Sequence, residues 1–132
     1  MGENMFVHTS VRTSNMERSI EFYSEFLGLK LTSRRMIPQN DAEIAFLRDH
    51  NAQGAPLELT FYRKQKKFIQ ADYENRVFDH LAFEVKNIEE TINAMRAAGV
   101  TIADEPFKLG SSGSIIAFVE DPDGTLIELI QR

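Results

Sequence analysis

No cysteine occurs in the 132 residues. Disulfides, thiolate metal centres and cysteine nucleophiles are therefore excluded. Long apolar runs are also missing: no segment reaches membrane-spanning length. The opening MGENMFVHTS has neither a basic n-region nor an apolar h-region, and Phe6 stands where a myristoylation signal requires Ser or Thr. The expectation is a cytoplasmic protein without membrane association. Positive charge is in deficit too, with 15 Lys and Arg against 20 Asp and Glu for a net charge of −5 and no basic stripe along the chain. That argues against general nucleic-acid binding. What remains, 42% hydrophobic and 27% charged residues, is one soluble globular domain's worth of chain with material for a core. Histidine is scarce at three residues, so the position of each one matters.

Met5 to Val11 alternates as a strand does. Ser14 or Asn15 then offers a helix N-cap, and Met16, Ile20, Phe22, Tyr23, Phe26 and Leu27 recur at helical spacing up to Gly28. Strands follow over Leu29–Met36, Ala42–Leu47 and Pro56–Tyr62, separated by the turn Ile37–Asp41 and a polar loop. Residues 63–77 read as a linker or flexible loop carrying the basic cluster Arg63, Lys64, Lys66 and Lys67. The pattern then restarts. A strand runs over Phe78–Val85, Asn87 caps a helix containing Ile88, Ile92 and Met95, and Gly99 ends it. A strand begins at Val100–Ala103, a glycine-bearing loop spans Pro106–Gly113, and Ser114–Glu120 is the next strand. Asp121-Pro122-Asp123-Gly124 turns into the last strand, Thr125–Gln131.

The restart is a repeat. His8 and His80 lie 72 residues apart, as do Asn15 and Asn87, and Ile20 and Ile92; Gly28 and Gly99 lie 71 apart, Glu58 and Glu128 70. Loop-length differences account for so small a drift. The fold class predicted is α+β, built from two tandem βαβββ modules (about 5–62 and 78–131) within one domain.

Each module opens on a strand bearing a histidine and closes on one bearing a glutamate. Alternation puts His8 on a face with Ser10 and Arg12, and Glu58 on a face with Thr60 and Tyr62. His80 shares its face with Ala82 and Glu84, Glu128 with Leu126 and Ile130. A lone strand histidine is more often structural than a ligand, and a lone strand glutamate usually faces solvent. Matching pairs at matching repeat positions favour a metal site. Two imidazoles and two carboxylates suit Zn²⁺, Ni²⁺, Co²⁺ or Fe²⁺, and four protein ligands leave open positions on a six-coordinate ion. His50, in a polar loop, reads as solvated.

Several stretches carry a family resemblance: His8-Thr9-Ser10-Val11-Arg12, Ser19-Ile20-Glu21-Phe22-Tyr23, Leu27-Gly28-Leu29-Lys30-Leu31, Leu57-Glu58-Leu59-Thr60 and Asp79-His80-Leu81-Ala82. The most specific is Ile116–Gly124 with Ile127-Glu128-Leu129-Ile130. Over essentially its whole length the chain resembles the vicinal oxygen chelate superfamily, and within it most resembles the glyoxalase I (lactoylglutathione lyase) family. The resemblance implies mixed sheets curling around a divalent metal held by His8, Glu58, His80 and Glu128. It implies Ni²⁺ or Co²⁺ in preference to Zn²⁺, and a homodimer whose subunits share each site. The implied substrate is a hemithioacetal of a 2-oxoaldehyde such as methylglyoxal and a thiol such as glutathione. Its C1 proton would be moved through an enediolate by Glu128, with Glu58 as a second acid/base partner.

In that family an arginine at the place of Arg12 grips the glutathione carboxylate, and some members have a second at the place of Arg76. The chain departs from the pattern after Thr60. Phe61-Tyr62-Arg63-Lys64 replaces an aromatic-Asn-Trp-Gly stretch, and the lysine-glycine loop survives only as Lys108-Leu109-Gly110, out of register. Alternatives within the resemblance are a CoA-thioester epimerase, another thiol-linked enzyme, or a non-catalytic small-molecule binder. Glutamate rather than glutamine at 58 speaks against the epimerase, and the complete ligand set against the binder.

Overall fold

Two asparagines start the two helices. Asn15 is extended, and its side chain accepts from the Arg18 N–H, so helix α1 runs Met16–Glu25. Asn87 does the same for Glu90, and α2 runs Ile88–Ala97. At the far end of α2, Gly99 takes φ 84°. Its N–H donates to the Arg96 carbonyl at 3.1 Å, and that of Val100 to Met95 at 3.0 Å, which satisfies the last carbonyls of the helix. Each helix buries one stripe: Met16, Ser19, Phe22 and Tyr23 in α1, and Ile88, Ile92 and Met95 in α2. In the first stripe Ser19 is made tolerable by a hydroxyl hydrogen bond to Thr13, itself buried.

The computed structural model describes residues 2–132, and they divide into two units at Phe68/Ile69. In the first, strands β1 (Thr9–Arg12), β2 (Lys30–Ile37), β3 (Ala42–Arg48) and β4 (Leu57–Tyr62) form a sheet in the order β1-β4-β3-β2. In the second, β5 (Leu81–Glu84), β6 (Ile102–Lys108), β7 (Ile115–Glu120) and β8 (Leu126–Gln131) form a sheet in the order β5-β8-β7-β6. First and last strands pair in parallel in both units, and the remaining pairs are antiparallel. The architecture is the α+β fold of two βαβββ modules expected from the repeat. Val11, Leu57 and Leu59 in the first unit, and Ile127 and Leu129 in the second, are buried with the helix stripes as the core of each. Each large aliphatic side chain so buried contributes roughly 1.5–3 kcal/mol.

Four segments differ from the sequence reading. The opening strand of each module is shorter: β1 begins at Thr9 rather than Met5, and β5 at Leu81 rather than Phe78. The partner ends first. Thr9 pairs with Leu57, the first residue of β4, so Met5, Phe6 and Val7 are left exposed despite their alternation. Strand β6 is longer than expected and passes through Pro106. It can do so because it is the edge of its sheet and its register shifts between Asp104 and Phe107.

The fourth segment lies within 63–77. Residues 70–76 are not a free linker but are fastened to the Asp121–Gly124 turn. Ala71 N–H donates to the Asp123 carbonyl at 2.9 Å, the Gln70 side chain to Pro122 at 3.1 Å, and Arg76 to Gly124 at 3.0 Å. Gly124 has φ 86°, and a Cβ there would lie 2.1 Å from the Ala71 carbonyl oxygen. Both the left-handed backbone and the approach of a second chain segment require glycine. Gly124→Ala is therefore expected to destabilise the protein by at least about 2 kcal/mol, counting αL strain and the backbone shift together. Chemical denaturation measures it, and an unchanged midpoint would contradict this packing.

Candidate metal centre

Parallel pairing assembles a histidine–glutamate pair in each module. In β1/β4 the register sets Ser10 beside Glu58, and His8, two residues earlier, lies on the same face. Its Nε2 is 3.7 Å from Glu58 Oε1. In β5/β8 Ala82 sits beside Glu128, and His80 Nε2 is 3.4 Å from Glu128 Oε1. Both pairs lie on the sheet face opposite the buried Leu57/Leu59 and Ile127/Leu129. The side chains are half-buried, 37% and 13% exposed for His8 and Glu58, and 33% and 20% for His80 and Glu128. Glu128 is thus no misplaced core charge: the strand alternates, and the carboxylate is on its wetter side.

The donor chemistry fits a divalent ion. Nitrogen and oxygen donors at about 2.0–2.2 Å from one metal stand roughly 3.0–3.5 Å apart when adjacent in its shell. The observed separations of 3.4 and 3.7 Å lie at or just beyond that range. His80 is further prepared. Its Nδ1 is 2.5 Å from the Asp79 carboxylate, which favours the proton on Nδ1 and turns the Nε2 lone pair toward Glu128. Among the described residues no group of three or more His, Cys, Asp or Glu side chains that could hold an ion converges, and each pair presents two donors.

Sequence reasoning missed one residue beside each pair. Phe46, opposite Glu58 on β3, meets the His8 ring edge-on with centroids 5.4 Å apart. Phe118, opposite Glu128 on β7, meets His80 in the same way at 5.7 Å. These contacts limit the tilt of each imidazole. The signal was present, since Phe46 and Phe118 lie 72 residues apart as the histidines do.

The two arginines have different surroundings. Arg12 continues the face that bears His8 and Ser10. Its guanidinium lies 4.5 Å from the Tyr62 ring centroid, and Nη1 reaches Gln65 Oε1 at 3.5 Å, which leaves most of its donors open. Arg76 is only 12% exposed and is engaged by Glu120 at 3.1 Å and twice by the Gly124 carbonyl. It holds the turn that leads into β8.

The match of residues 5–129 to the Glyoxalase/Bleomycin resistance protein/Dioxygenase superfamily decides the family. The chain belongs to it. It is 35% identical over 134 residues to a probable lactoylglutathione lyase of Vibrio cholerae, an alignment covering all of this chain and 94% of that protein. Among solved structures, the trypanothione-dependent glyoxalase I of Leishmania major matches with a TM-score of 0.77 and 31% identity, over 98% of this chain and 87% of that one. Glyoxalase I from Zea mays matches with a TM-score of 0.78 and 30% identity over 96% of this chain. This chain spans 44% of the maize protein.

The clamp made by Arg76 has a measurable consequence. Arg76→Met would leave the Glu120 carboxylate and the Gly124 carbonyl without their donor, for a loss of about 2 kcal/mol of stability. A thermal melt that did not move would show Arg76 to be dispensable to the fold.

Proposed function

We propose that the protein is a metal-dependent lyase of the lactoylglutathione lyase type. It would convert the hemithioacetal of methylglyoxal and a thiol, glutathione foremost, into a 2-hydroxyacyl thioester as part of cytoplasmic detoxification. The observation that carries this reading is the duplicated His–Glu pair, His8 with Glu58 and His80 with Glu128, each on the open face of its sheet. Full-length similarity to the Vibrio lyase supports the choice among the family's reactions. Each pair offers two donors, and in this reading the four-ligand set is completed when the pair of one module meets that of the other. The family resemblance implies that this happens across a homodimer. The exposed apolar residues ahead of each histidine, Met5, Phe6 and Val7 in one module and Val77 and Phe78 in the other, suit such an interface.

His8, Glu58, His80 and Glu128 would hold a divalent ion, Ni²⁺ or Co²⁺ in preference to Zn²⁺, which would supply Lewis acidity to the substrate. The remaining work falls to side chains of the chain. Glu128 takes the proton from C1 and returns it to the adjacent carbon, an isomerisation that needs no oxidant or reductant. Leu126 and Ile130, its neighbours on the same strand face, limit the water around it. Glu58 would remain a ligand of the ion and is the second carboxylate able to exchange a proton. Arg12, steadied on Tyr62, receives a carboxylate of the thiol, and the exposed cations of 63–67 follow directly on that strand. Arg76 could take part only with the donors that Glu120 and Gly124 leave over. The CoA-linked epimerase reading is weaker because position 58 is a glutamate.

Two measurements test this. Protein loaded with Ni²⁺, Co²⁺ or Zn²⁺ should generate thioester absorbance from methylglyoxal with one thiol of a panel that includes glutathione and trypanothione; no product with any of them overturns the assignment. Glu128→Gln should lower turnover by about 10²–10⁴-fold with the fold intact. Substantial residual turnover would remove Glu128 as the base.

A further inference from the structure

The two pairs are not equivalent around their carboxylates. In the first module Thr60, one strand position beyond Glu58 on the same face, lies with its hydroxyl 3.2 Å from Glu58 Oε1. Ser10, beside Glu58 in the register, lies 2.7 Å from the Thr60 hydroxyl. Thr60 has a single proton. If it donates to Glu58, its oxygen is free to accept, and Ser10 must be the donor. The chain therefore runs Ser10 to Thr60 to Glu58 in one direction, and Thr60 is nearly buried at 6% exposed. The second module has no counterpart. The position matching Ser10 is Ala82, which lies beside Glu128, and the position matching Thr60 is Ile130. Glu128 has a methyl group and an isoleucine where Glu58 has two hydroxyls.

We infer that Thr60, itself held by Ser10, is a positioning residue that fixes Glu58 as the permanent ligand, while its absence beside Glu128 leaves that carboxylate free to leave the ion and carry the proton. A hydrogen-bonded ligand carboxylate loses rotational freedom before it binds, so it costs less entropy to bind. A proton carrier must swing between ligand and base, and the same restraint would oppose that swing. The inference rests on the proposed lyase reading for the role of Glu128, whereas its claim about Glu58 concerns metal affinity alone.

The test is a Co²⁺ titration followed by visible absorption, with turnover measured separately and folding checked by melting. Thr60→Val, which keeps the shape and removes the hydroxyl, should weaken Co²⁺ binding by about 10–100-fold, and Thr60→Ser should restore it. The paired variant Ala82→Ser/Ile130→Thr, which gives Glu128 the same two hydroxyls, should bind Co²⁺ at least as tightly as the wild type while kcat falls about tenfold. Unchanged affinity in Thr60→Val, or unchanged kcat in the paired variant of an active enzyme, overturns the inference. If the wild type turns over no hemithioacetal, the lyase reading fails on its own. The affinity difference between Thr60→Val and Thr60→Ser still decides whether Thr60 positions Glu58.

Discussion

Parallel pairing between the first and last strands of each module is the constraint on which the site depends. Side chains in the two strands then point to the same face at a fixed offset, so a histidine just ahead of one strand meets a glutamate in the other. Thr9 opposite Leu57 and Leu81 opposite Ile127 set that offset in the two modules. A slip of one residue would turn His8 or Glu58 to the helix side among Leu57 and Leu59, where an unpaired charge is costly. Burial of Leu57, Leu59, Ile127 and Leu129 therefore specifies the register, and the register specifies the donor pair. Core and site are two faces of the same strands.

The elements that hold this arrangement are local and cheap. Asn15 and Asn87 start the helices one residue on, and Gly99 ends the second. The costlier device is Gly124, where the turn before β8 runs against residues 70–76 and Arg76 ties the two together. That turn sits four residues before Glu128, so its rigidity carries directly into the strand that bears the carboxylate. The phenylalanines edge-on to each imidazole and the Asp79 carboxylate on His80 Nδ1 add a second layer of orientation around the donors.

Much of this was legible in the sequence because duplication supplies an internal control. One histidine in a strand says little, but a second at the same offset, with glutamates to match, points to the two His–Glu pairs that the registers bring together. The same offset would have found Phe46 and Phe118. Illegible were features that depend on where pairing stops or where distant segments touch. Met5–Val7 alternate like a strand, yet β4 begins too late to pair with them. Residues 70–76 look like linker because their bonds go to carbonyls some fifty residues away. The Ser10–Thr60 contact likewise joins residues fifty apart. Its meaning depends on comparison with Ala82 and Ile130, which becomes natural only when the registers of both modules are known.

In the proposed reading the two pairs are halves of one metal site rather than two separate sites or two structural ion pairs. Native mass spectrometry of the metal-loaded wild type, His8→Ala and His80→Ala tests it most directly. One ion per chain is expected in the wild type, with loss of that ion in both variants, since either substitution breaks the same ligand set. Two ions per chain, or full retention of the ion when one histidine is removed, would contradict it.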